Sequence, residues 1–310
     1  MTKRKKILVT GGAGFIGSHV ADLLIEHGNN VVIIDNLSTG KEENINKKAR
    51  FYHEDLLNFS KINEIFEKEK PEIIYHLAAQ IDVRKSVENP IEDAKQNILS
   101  SINLLEMAVK HQVKHFIFSS TGGAIYGDTK NIPTPEEHTE NPISPYGISK
   151  LAIEKYINYY NNLHGLKYTI LRYGNVYGER QNPKSEAGVI AIFFDNLLNG
   201  KNPVIFGGLQ TRDFIHVEDV AWANLLVLKD VHSETYNIGT GKETDIIEIF
   251  SRINDLFYNK FKPEFKEKKK GEQEKSCLSY NKIKSLLNWY PRISLDEGLS
   301  RTYKWMAENK

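Results

Sequence analysis

The sequence predicts an α/β protein with a doubly wound parallel sheet and a smaller C-terminal α/β domain. In the first half of the chain, short runs rich in β-branched residues alternate with segments whose apolar residues recur at helical spacing. Strands that are separated by helices need crossover connections, and these produce a parallel sheet covered on both faces. A glycine-rich turn directly after the first predicted strand also indicates this kind of sheet.

The predicted elements follow one another along the chain. "KKILVT" at 5–10 predicts the first strand, and "FIGSHVADLLIEHG" at 15–28 predicts a helix with Gly28 near its C-cap. Further strands are predicted at 30–35, 51–55, 73–78, 115–120, 167–174 and 235–240. Helices are predicted at 59–70, 91–111 and 149–165.

The pattern changes near Tyr173, which predicts two domains. Residues 1–172 should form the first domain, to which a segment at about 211–240 returns, and residues 173–310 should form the second. The Lys-rich segment 260–275 predicts a surface loop or an edge strand.

The composition argues against several classes of protein. The chain has 310 residues, 40% of them apolar and 26% charged, and its net charge of +1 gives no reason to expect a nucleic acid or an acidic membrane as partner. The apolar run after the basic start is too short for a secretory signal, and no run approaches the roughly 20 residues of a membrane span. Cys277 is the only cysteine, so no intrachain disulfide can form and we expect a cytoplasmic protein.

The turn "TGGAGFIG" at 10–17 is suited to binding a dinucleotide. Gly12, Gly14 and Gly17 give the spacing G-x-G-x-x-G between a strand and a helix, where backbone N–H groups can approach a pyrophosphate. Asp35 ends the second strand, where a carboxylate can accept hydrogen bonds from an adenosine ribose and would repel a 2′-phosphate. The pattern therefore favours NAD over NADP, and the alternative is a tight turn without a ligand.

The stretch "YGISK" places Tyr146 and Lys150 on one face of a predicted helix. A free tyrosine has a pKa near 10, so it is a poor base at neutral pH. A nearby ammonium favours the phenolate, which could take a proton from a sugar hydroxyl while a hydride leaves the same carbon for NAD. The alternative is that both residues are ordinary members of a helix.

Several motifs together resemble the extended short-chain dehydrogenase/reductases, and among them the UDP-glucose 4-epimerase family. The motifs are "TGGAGFIG", "SSTGGAIYG", "YGISK", "LRYGNVYG", "RDFIHVEDV" and "LLNWYPRISLDEGL". The resemblance implies an NAD-binding Rossmann domain followed by a nucleotide-sugar-binding domain, with no metal. It implies cofactor contacts from Gly11, Gly14, Phe15, Ile16, Gly17, Asp35, Asn36, Asp55, Leu56, Leu77, Ala78, Ala79, Tyr146, Lys150 and Tyr173.

The resemblance also implies the reaction. Tyr146 would be the base, supported by Lys150, and Thr121 would hydrogen-bond the substrate oxygen, with Ser120 as the alternative hydroxyl. Related 4,6-dehydratases carry an Asp-Glu pair directly after this Thr, and here Gly122 and Gly123 stand in its place. Epimerisation at C4 of a UDP-hexose is therefore expected. A net nucleotide-sugar oxidoreductase or dehydratase and a non-catalytic NAD sensor are the alternatives.

Nucleotide-sugar contacts are implied for a second group of residues. Arg212 matches the arginine that binds the diphosphate, a task that suits its bidentate geometry. Ser276 aligns with the position that sets the size of the sugar pocket, and a serine there leaves room for an N-acetyl group. Plain and N-acetylated hexoses, and uracil and thymine nucleotides, stay open. The expected substrate contacts are Arg84, Thr121, Tyr146, Asn175, Val189, Val204, Phe206, Arg212, Lys269 and Ser276.

The helices predicted at 91–111 and 149–165 carry more apolar residues than one sheet face requires. In the family such helices pair across a two-fold axis as a four-helix bundle, so a homodimer is expected.

Overall fold

A computed structural model describes residues 4–184, 188–229, 232–268 and 273–309. Most strands are short, and the longest belong to one central sheet. The strands are β1 (Lys6–Thr10), β2 (Asn30–Asp35), β3 (Arg50–His53), β4 (Ile73–His76), β5 (His115–Thr121), β6 (Lys167–Tyr173), β7 (Asn175–Tyr177), β8 (Val204–Phe206), β9 (Thr211–Arg212), β10 (Phe214–His216), β11 (Glu234–Ile238), β12 (Thr244–Asp245) and β13 (Glu264–Lys266).

In the part of the chain that the structure describes, seven strands form the central sheet in the order β11-β6-β5-β4-β1-β2-β3. Strand β1 pairs in parallel with β2 on one side and with β4 on the other, so that Leu8 lies opposite Val32 and Ile74. The pairs β2–β3 and β4–β5 are parallel as well. The predicted α/β fold with a parallel sheet is confirmed.

The helices lie between these strands or after them along the chain. They are α1 (Phe15–Glu26), α2 (Phe59–Glu69), α3 (Val83–Glu88), α4 (Pro90–Ala94), α5 (Ser100–Lys110), α6 (Gly122–Ile125), α7 (Pro145–His164), α8 (Val189–Leu198), α9 (Val217–Leu226), α10 (Ile246–Asp255), α11 (Asn281–Leu287) and α12 (Leu295–Glu308). Across the described ranges, no helix is long and apolar enough to cross a membrane.

The chain divides into two compact units. The first unit consists of Met1–Thr121, Ser144–Arg172 and Ala221–Tyr236, and the second of Gly122–Ile143, Tyr173–Val220 and Asn237–Lys310. The core of the first unit packs strand residues such as Leu8 and Phe116 against Leu104 and Ile157 of the helices. The core of the second unit is built mainly from α8 and α10. Three two-stranded sheets, β7–β10, β9–β12 and β8–β13, accompany this core in the described ranges.

Some predicted elements have different limits in the structure. The helix predicted at 15–28 ends at Glu26, because Gly28 has a φ of 82°, which a helix cannot continue through. The strand predicted at 51–55 ends at His53. The helix predicted at 91–111 contains a π-helical turn at Lys95–Leu99, a feature that often marks functional regions. Within the segment 260–275, an exposed edge strand forms at Glu264–Lys266.

A buried ion pair joins α7 to β6 inside the first unit. The side chains of Arg172 and Glu154 are 4% and 3% exposed. Arg172 donates from Nη2 to Glu154 Oε2 at 2.6 Å and from Nε to Oε1 at 3.1 Å. Ser120 Oγ donates to the same Oε1 at 2.6 Å. The carboxylate therefore accepts three hydrogen bonds, which offset the cost of removing both charges from water.

Glu154→Gln should lower the free energy of unfolding by about 3–5 kcal/mol, because the change removes one charge of a buried ion pair and leaves the other in place. Urea denaturation at neutral pH measures this loss. Glu64→Gln is the matched control, because the pair that Glu64 forms with Lys61 is exposed and should add little. Equal unfolding curves for the two variants would contradict the prediction.

Candidate active site

The glycine turn between β1 and α1 has the shape that a bound pyrophosphate requires. Gly11 has a φ of 71°, and a Cβ at this residue would lie 2.6 Å from the backbone nitrogen of Ala78. A Cβ on Gly17 would lie 2.1 Å from the carbonyl oxygen of Gly11. Helix α1 begins at Phe15 with Gly14 as its N-cap, and no side chain caps it. The turn is closely packed, and the start of the helix can receive an anion.

Asp35 lies at the end of β2, beside this turn. Its Oδ2 accepts a hydrogen bond from the backbone N–H of Ala13 at 3.0 Å, and its Oδ1 accepts one from Leu37 at 2.9 Å. Each carboxylate oxygen has capacity for a second hydrogen bond, so Asp35 can also accept from a ribose hydroxyl. The turn and this carboxylate together fit a dinucleotide with a free 2′-hydroxyl.

Asp55 lies two residues beyond the end of β3, and its carboxylate organises a turn. Oδ2 accepts from Asn36 Nδ2 at 3.0 Å, and Oδ1 accepts from the backbone N–H of Leu57 at 2.8 Å. This arrangement is that of a strand-end turn residue. Leu56 beside it is buried, with 7% of its surface exposed.

A buried histidine supports the residues that follow β4. His76 Nδ1 is 2.8 Å from Thr10 Oγ1, and His76 Nε2 is 2.8 Å from Ser101 Oγ. Burial lowers the pKa of His76 to about 3, with a further contribution from Lys150, so the ring is neutral at pH 7. Thr10 Oγ1 in turn accepts from the backbone N–H of Ala78 at 3.2 Å. These contacts fix the backbone around Ala78, where the sequence predicts a run of three cofactor contacts, Leu77, Ala78 and Ala79.

Two serines cap the start of helix α7, which carries Tyr146. Ser144 is the N-cap and accepts from the backbone N–H of Gly147 at 3.2 Å. Ser86 Oγ accepts from the backbone N–H of Tyr146 at 3.2 Å and donates to Val83 O at 2.6 Å. The hydroxyl of Ser86 is thus used inside the protein. Capping of this kind fixes the direction in which the helix starts.

Lys150 is buried one turn further along α7, with 3% of its surface exposed. Its ammonium donates to the carbonyl oxygen of Ser119 at 2.7 Å, and its Nζ lies 5.9 Å from the centre of the Tyr146 ring. Burial lowers the pKa of Lys150 to about 8, while Asp93 and Glu154 oppose that shift. The lysine therefore ties the tyrosine helix to the end of β5.

The pKa of Tyr146 differs from the expectation that a nearby ammonium favours the phenolate. Burial raises this pKa above its ordinary value, and the negative charge of Asp93 raises it further. Spacing along a helix gives the position of Lys150 but not the cost of removing the phenolate from water. The protein's own groups hold Tyr146 in its protonated form.

The two hydroxyls at the end of β5 have different surroundings. Ser120 is buried and donates to Glu154, as described above. Thr121 is the last residue of β5 and is half-buried. The hydroxyl of Ser120 is therefore used inside the protein.

In the second unit, Asn175, Arg212 and Ser276 are connected through the backbone near β9 and β10. Arg212 Nη1 donates to Thr211 O at 2.8 Å, and the N–H of Ser276 donates to the same oxygen at 3.2 Å. The N–H of Asn175 donates to Asp213 O at 2.7 Å. Ser276 is buried, with 4% of its surface exposed.

The other expected contact residues lie in several elements. Val189 begins α8, while Val204 and Phe206 are the half-buried ends of β8. Tyr173 is the buried last residue of β6. Arg84 is exposed on α3, and Lys269 lies outside the described residues.

The sequence profile of the NAD dependent epimerase/dehydratase family matches residues 7–239, which include the glycine turn and helix α7. The chain belongs to this family. A UDP-glucose 4-epimerase of Mycolicibacterium smegmatis is 38% identical over 307 residues, which are 97% of this chain and 98% of that protein.

Two solved structures share the fold over nearly the whole chain. One is the crystal structure of a UDP-glucose 4-epimerase with UDP-glucose from Thermotoga maritima. It has a TM-score of 0.96 and 48% identity, and the match covers 98% of this chain and 99% of that chain. The other is a UDP-glucose 4-epimerase from Thermus thermophilus in complex with NAD. It has a TM-score of 0.92 and 38% identity, with 97% of this chain and 98% of that chain covered. The predicted family resemblance is confirmed.

Asp93 is a buried carboxylate beside helix α7 that the sequence did not predict as part of the site. Its carboxylate is 1% exposed and accepts from Ser149 Oγ at 2.7 Å, from Gln80 Nε2 at 2.9 Å and from Asn97 Nδ2 at 3.0 Å. The sequence does show a carboxylate and an amide, Asp93 and Asn97, four residues apart on one helix face, which could have indicated a hydrogen bond between them. That signal is too common to stand out without the fold.

The buried ammonium of Lys150 should be detectable in the pH dependence of stability. Its pKa of about 8 lies below the ordinary 10.5, so between these values the unfolded chain holds a proton that the folded chain has released. The free energy of unfolding should therefore rise with pH across this window. Relative to Lys150→Met, which has no titrating group, the wild type should gain about 3 kcal/mol. Urea denaturation of nucleotide-free protein at several pH values measures this, and parallel curves for the two proteins would refute it.

Proposed function

We propose that this chain is an isomerase that catalyses the NAD-dependent 4-epimerisation of a UDP-hexose. The observation that carries the proposal is the 2.7 Å hydrogen bond from Lys150 Nζ to Ser119 O. This bond links the helix that carries Tyr146 to the strand that ends in Thr121, so a base, a cation and a hydroxyl belong to one hydrogen-bonded framework. The relatives named as UDP-glucose 4-epimerases support the same reaction.

Each of these side chains has a distinct role in the proposed reaction. Tyr146 Oη takes the proton of the C4 hydroxyl, and Thr121 hydrogen-bonds the same oxygen and helps to pass the proton. Lys150 keeps its positive charge near the phenol and so opposes the effect of Asp93. NAD supplies the acceptor for the hydride from C4, and its positively charged nicotinamide favours the phenolate of Tyr146.

Rotation of the 4-keto sugar would present its other face. The reduced cofactor would then return the hydride to C4, and Tyr146 would return the proton to the oxygen. The product is an isomer, so no net oxidation or reduction occurs. Tyr146 is protonated and deprotonated once in each cycle. Tyr146 must be a phenolate to accept this proton, so the proposal requires the bound cofactor to lower the pKa that burial and Asp93 raise in the protein alone.

The first unit would hold NAD through its glycine turn and the ends of its strands. The tight packing of Gly11 and Gly17 and the remaining hydrogen-bonding capacity of Asp35 support this assignment. Asp55 would contribute through its backbone or through its carboxylate, which also binds Asn36 and Leu57. The remaining proposed contacts are Gly14, Phe15, Ile16, Asn36, Leu56, Leu77, Ala78, Ala79, Tyr146, Lys150 and Tyr173.

The second unit would hold the UDP portion of the substrate. Arg212 would bind the diphosphate with two parallel hydrogen bonds, which a guanidinium can form and an ammonium cannot. Asn175 would assist it, and the backbone of β8 would bind the uracil. The proposed contacts of this unit also include Val189, Val204, Phe206 and Ser276, while the expected contacts Arg84 and Lys269 stay predictions from the sequence.

The packing at Gly122 argues against a dehydratase. A Cβ at this residue would lie 2.4 Å from Cδ1 of Leu278, so the acidic side chain that elimination of water requires could be placed there only if Leu278 shifted. Gly123 likewise carries no acid or base. A non-catalytic NAD sensor would have no use for Tyr146, Lys150 and Thr121 together.

The buried Ser276 leaves two classes of sugar open. A small side chain at this position would leave space for an N-acetyl group, and it does not exclude a plain hexose. Purified protein should be incubated with UDP-galactose and, separately, with UDP-N-acetylgalactosamine, and the products followed by NMR. Formation of the C4 epimer in either tube supports the proposal, and loss of water or net turnover of NAD would overturn it.

Tyr146→Phe should lower the turnover number by about two orders of magnitude or more, because the phenol that exchanges the proton is missing. The content of bound NAD should stay the same. The conservative change keeps the ring and its packing, so the fold should not be affected. A variant that retains nearly full turnover would show that another residue is the base.

We also propose a homodimer through a four-helix bundle. Helix α7 exposes Ile148, Tyr159 and Leu163, which are 54%, 54% and 58% exposed. The helical segment before α5 exposes Ile91 and Leu99, which are 69% and 47% exposed. Such apolar residues on neighbouring helices are typical of an interface. The cytoplasmic location expected from the sequence stays a prediction.

Light scattering at micromolar concentration should give the mass of a dimer. Leu163→Glu should shift this mass toward the monomer, because a charge at the two-fold interface is repelled by its symmetry mate. Leu286→Glu is the control, because Leu286 is also 58% exposed and lies on α11. A monomeric wild type, or equal effects of the two changes, would contradict the proposed interface.

A further inference from the structure

Asp213 is a fully buried carboxylate that the proposed reaction does not use. It has 0% of its surface exposed and lies between β9 and β10. Its Oδ1 accepts from the N–H of Thr240 at 2.8 Å and from Thr240 Oγ1 at 2.6 Å. Its Oδ2 accepts from the N–H of Leu278 at 3.1 Å and of Gly241 at 3.2 Å. Two oxygens thus satisfy four donors from two separate segments.

The segments that meet at Asp213 are those that carry the proposed substrate contacts. The carbonyl oxygen of Asp213 accepts from the N–H of Asn175. Arg212 is its neighbour in the chain, and Ser276 lies two residues before Leu278. Each of the three residues proposed to bind the nucleotide sugar is therefore held by Asp213 itself or lies within two residues of a group that Asp213 holds.

We propose that Asp213 is a positioning residue that holds the backbones of Asn175, Arg212 and Ser276 in the arrangement needed to bind the nucleotide sugar. This inference rests on the proposed function and deepens it. Asp213 itself touches neither substrate nor cofactor. It acts by keeping segment 273–279, called here the C-terminal strap, attached to β9 and to the loop after β11.

The strap is held along its length by backbone hydrogen bonds. The N–H of Thr211 donates to Glu274 O at 3.0 Å, and the N–H of Ser276 donates back to Thr211 O at 3.2 Å. On its other side, the N–H of Thr134 donates to Cys277 O at 2.9 Å, and the N–H of Ser279 donates to Thr134 O at 2.9 Å. At Leu278, between these bonds, the backbone N–H donates to the carboxylate of Asp213 instead of to a carbonyl oxygen.

The strap also covers the turn at Gly122. The side chain of Leu278 fills the space beside this glycine, where a Cβ would meet Cδ1 at 2.4 Å. A shift of Leu278 would therefore open this turn as well as move Ser276. Both effects would weaken binding of the sugar nucleotide rather than the attachment of NAD.

A carboxylate is needed here because the partners described above are all donors. In Asp213→Asn, one oxygen becomes an NH2 group that faces backbone N–H groups, so at least one buried donor loses its acceptor. Thr240→Val is a milder change, because it removes one hydroxyl donor and leaves the carboxylate and the backbone donors in place. The two variants therefore weaken the same group of hydrogen bonds to different extents.

A carboxylate with a purely structural role would affect stability but not the recognition of substrate, and Asp219 provides a control of this kind. Asp219 is 3% exposed and accepts from the backbone N–H groups of Arg292 at 3.0 Å and Ile293 at 3.1 Å. It is a buried carboxylate of the same unit, and these two partners are not neighbours of any proposed substrate contact. Asp219→Asn should lower the melting temperature without changing recognition of the substrate.

The experiment compares wild type, Asp213→Asn, Thr240→Val and Asp219→Asn as NAD-loaded full-length proteins. It measures kcat and KM with the UDP-hexose that the wild type converts, calorimetric affinity for UDP-glucose, NAD content and melting temperature. Asp213→Asn should raise KM and the dissociation constant by about tenfold or more. It should change kcat by less than about threefold, with NAD content unchanged. Thr240→Val should show a smaller rise of the same kind, and Asp219→Asn none.

Unchanged KM and affinity in Asp213→Asn, or an equal rise in Asp219→Asn, would overturn the inference while leaving the epimerase proposal intact. If Asp213→Asn does not fold, Thr240→Val decides: a rise in its KM supports the role of Asp213, and a wild-type KM overturns it. A wild type that neither binds UDP-glucose nor epimerises a UDP-hexose would overturn the proposed function, and this inference with it.

Discussion

The arrangement of the candidate active site depends on the contacts of one buried ammonium, that of Lys150. Its hydrogen bond to Ser119 O joins helix α7 to the end of β5. Burial lowers the pKa of this lysine to about 8, and the charge is retained because Asp93 and Glu154 lie close enough to oppose the shift. A cation kept in a buried place is costly for stability, and such a cost is typical of functional positions.

Buried carboxylates fix the positions of nearby residues in both units. Asp35 and Asp93 fix the residues near the glycine turn and helix α7, and Asp213 and Asp219 fix loops of the second unit. Each accepts hydrogen bonds from backbone N–H groups or from neutral side chains, and these bonds stabilise the negative charge inside the protein. These hydrogen bonds therefore orient the side chains that are proposed to take part in the reaction.

Local patterns were enough to predict the fold and the family. The strands, the glycine turn and Asp35 are close in sequence, and their meaning comes from spacing that a single chain displays. Contacts between distant residues could not be predicted. Asp93 meets Ser149 across 56 positions and Asp213 meets Leu278 across 65 positions, and nothing in the sequence marks either pair. The raised pKa of Tyr146 in the protein alone could not be predicted, because helix spacing shows a nearby charge and not the loss of water.

In the proposed reaction, one sugar carbon loses a hydride and regains the same hydride on its other face, while Tyr146 exchanges only the hydroxyl proton. A UDP-hexose that carries deuterium at C4 tests this most directly, with the product analysed by NMR and mass spectrometry after incubation in ordinary water. The epimer should keep its deuterium at C4, and the labelled substrate should be converted more slowly than the unlabelled one. Replacement of the deuterium by hydrogen from water would contradict the proposed reaction.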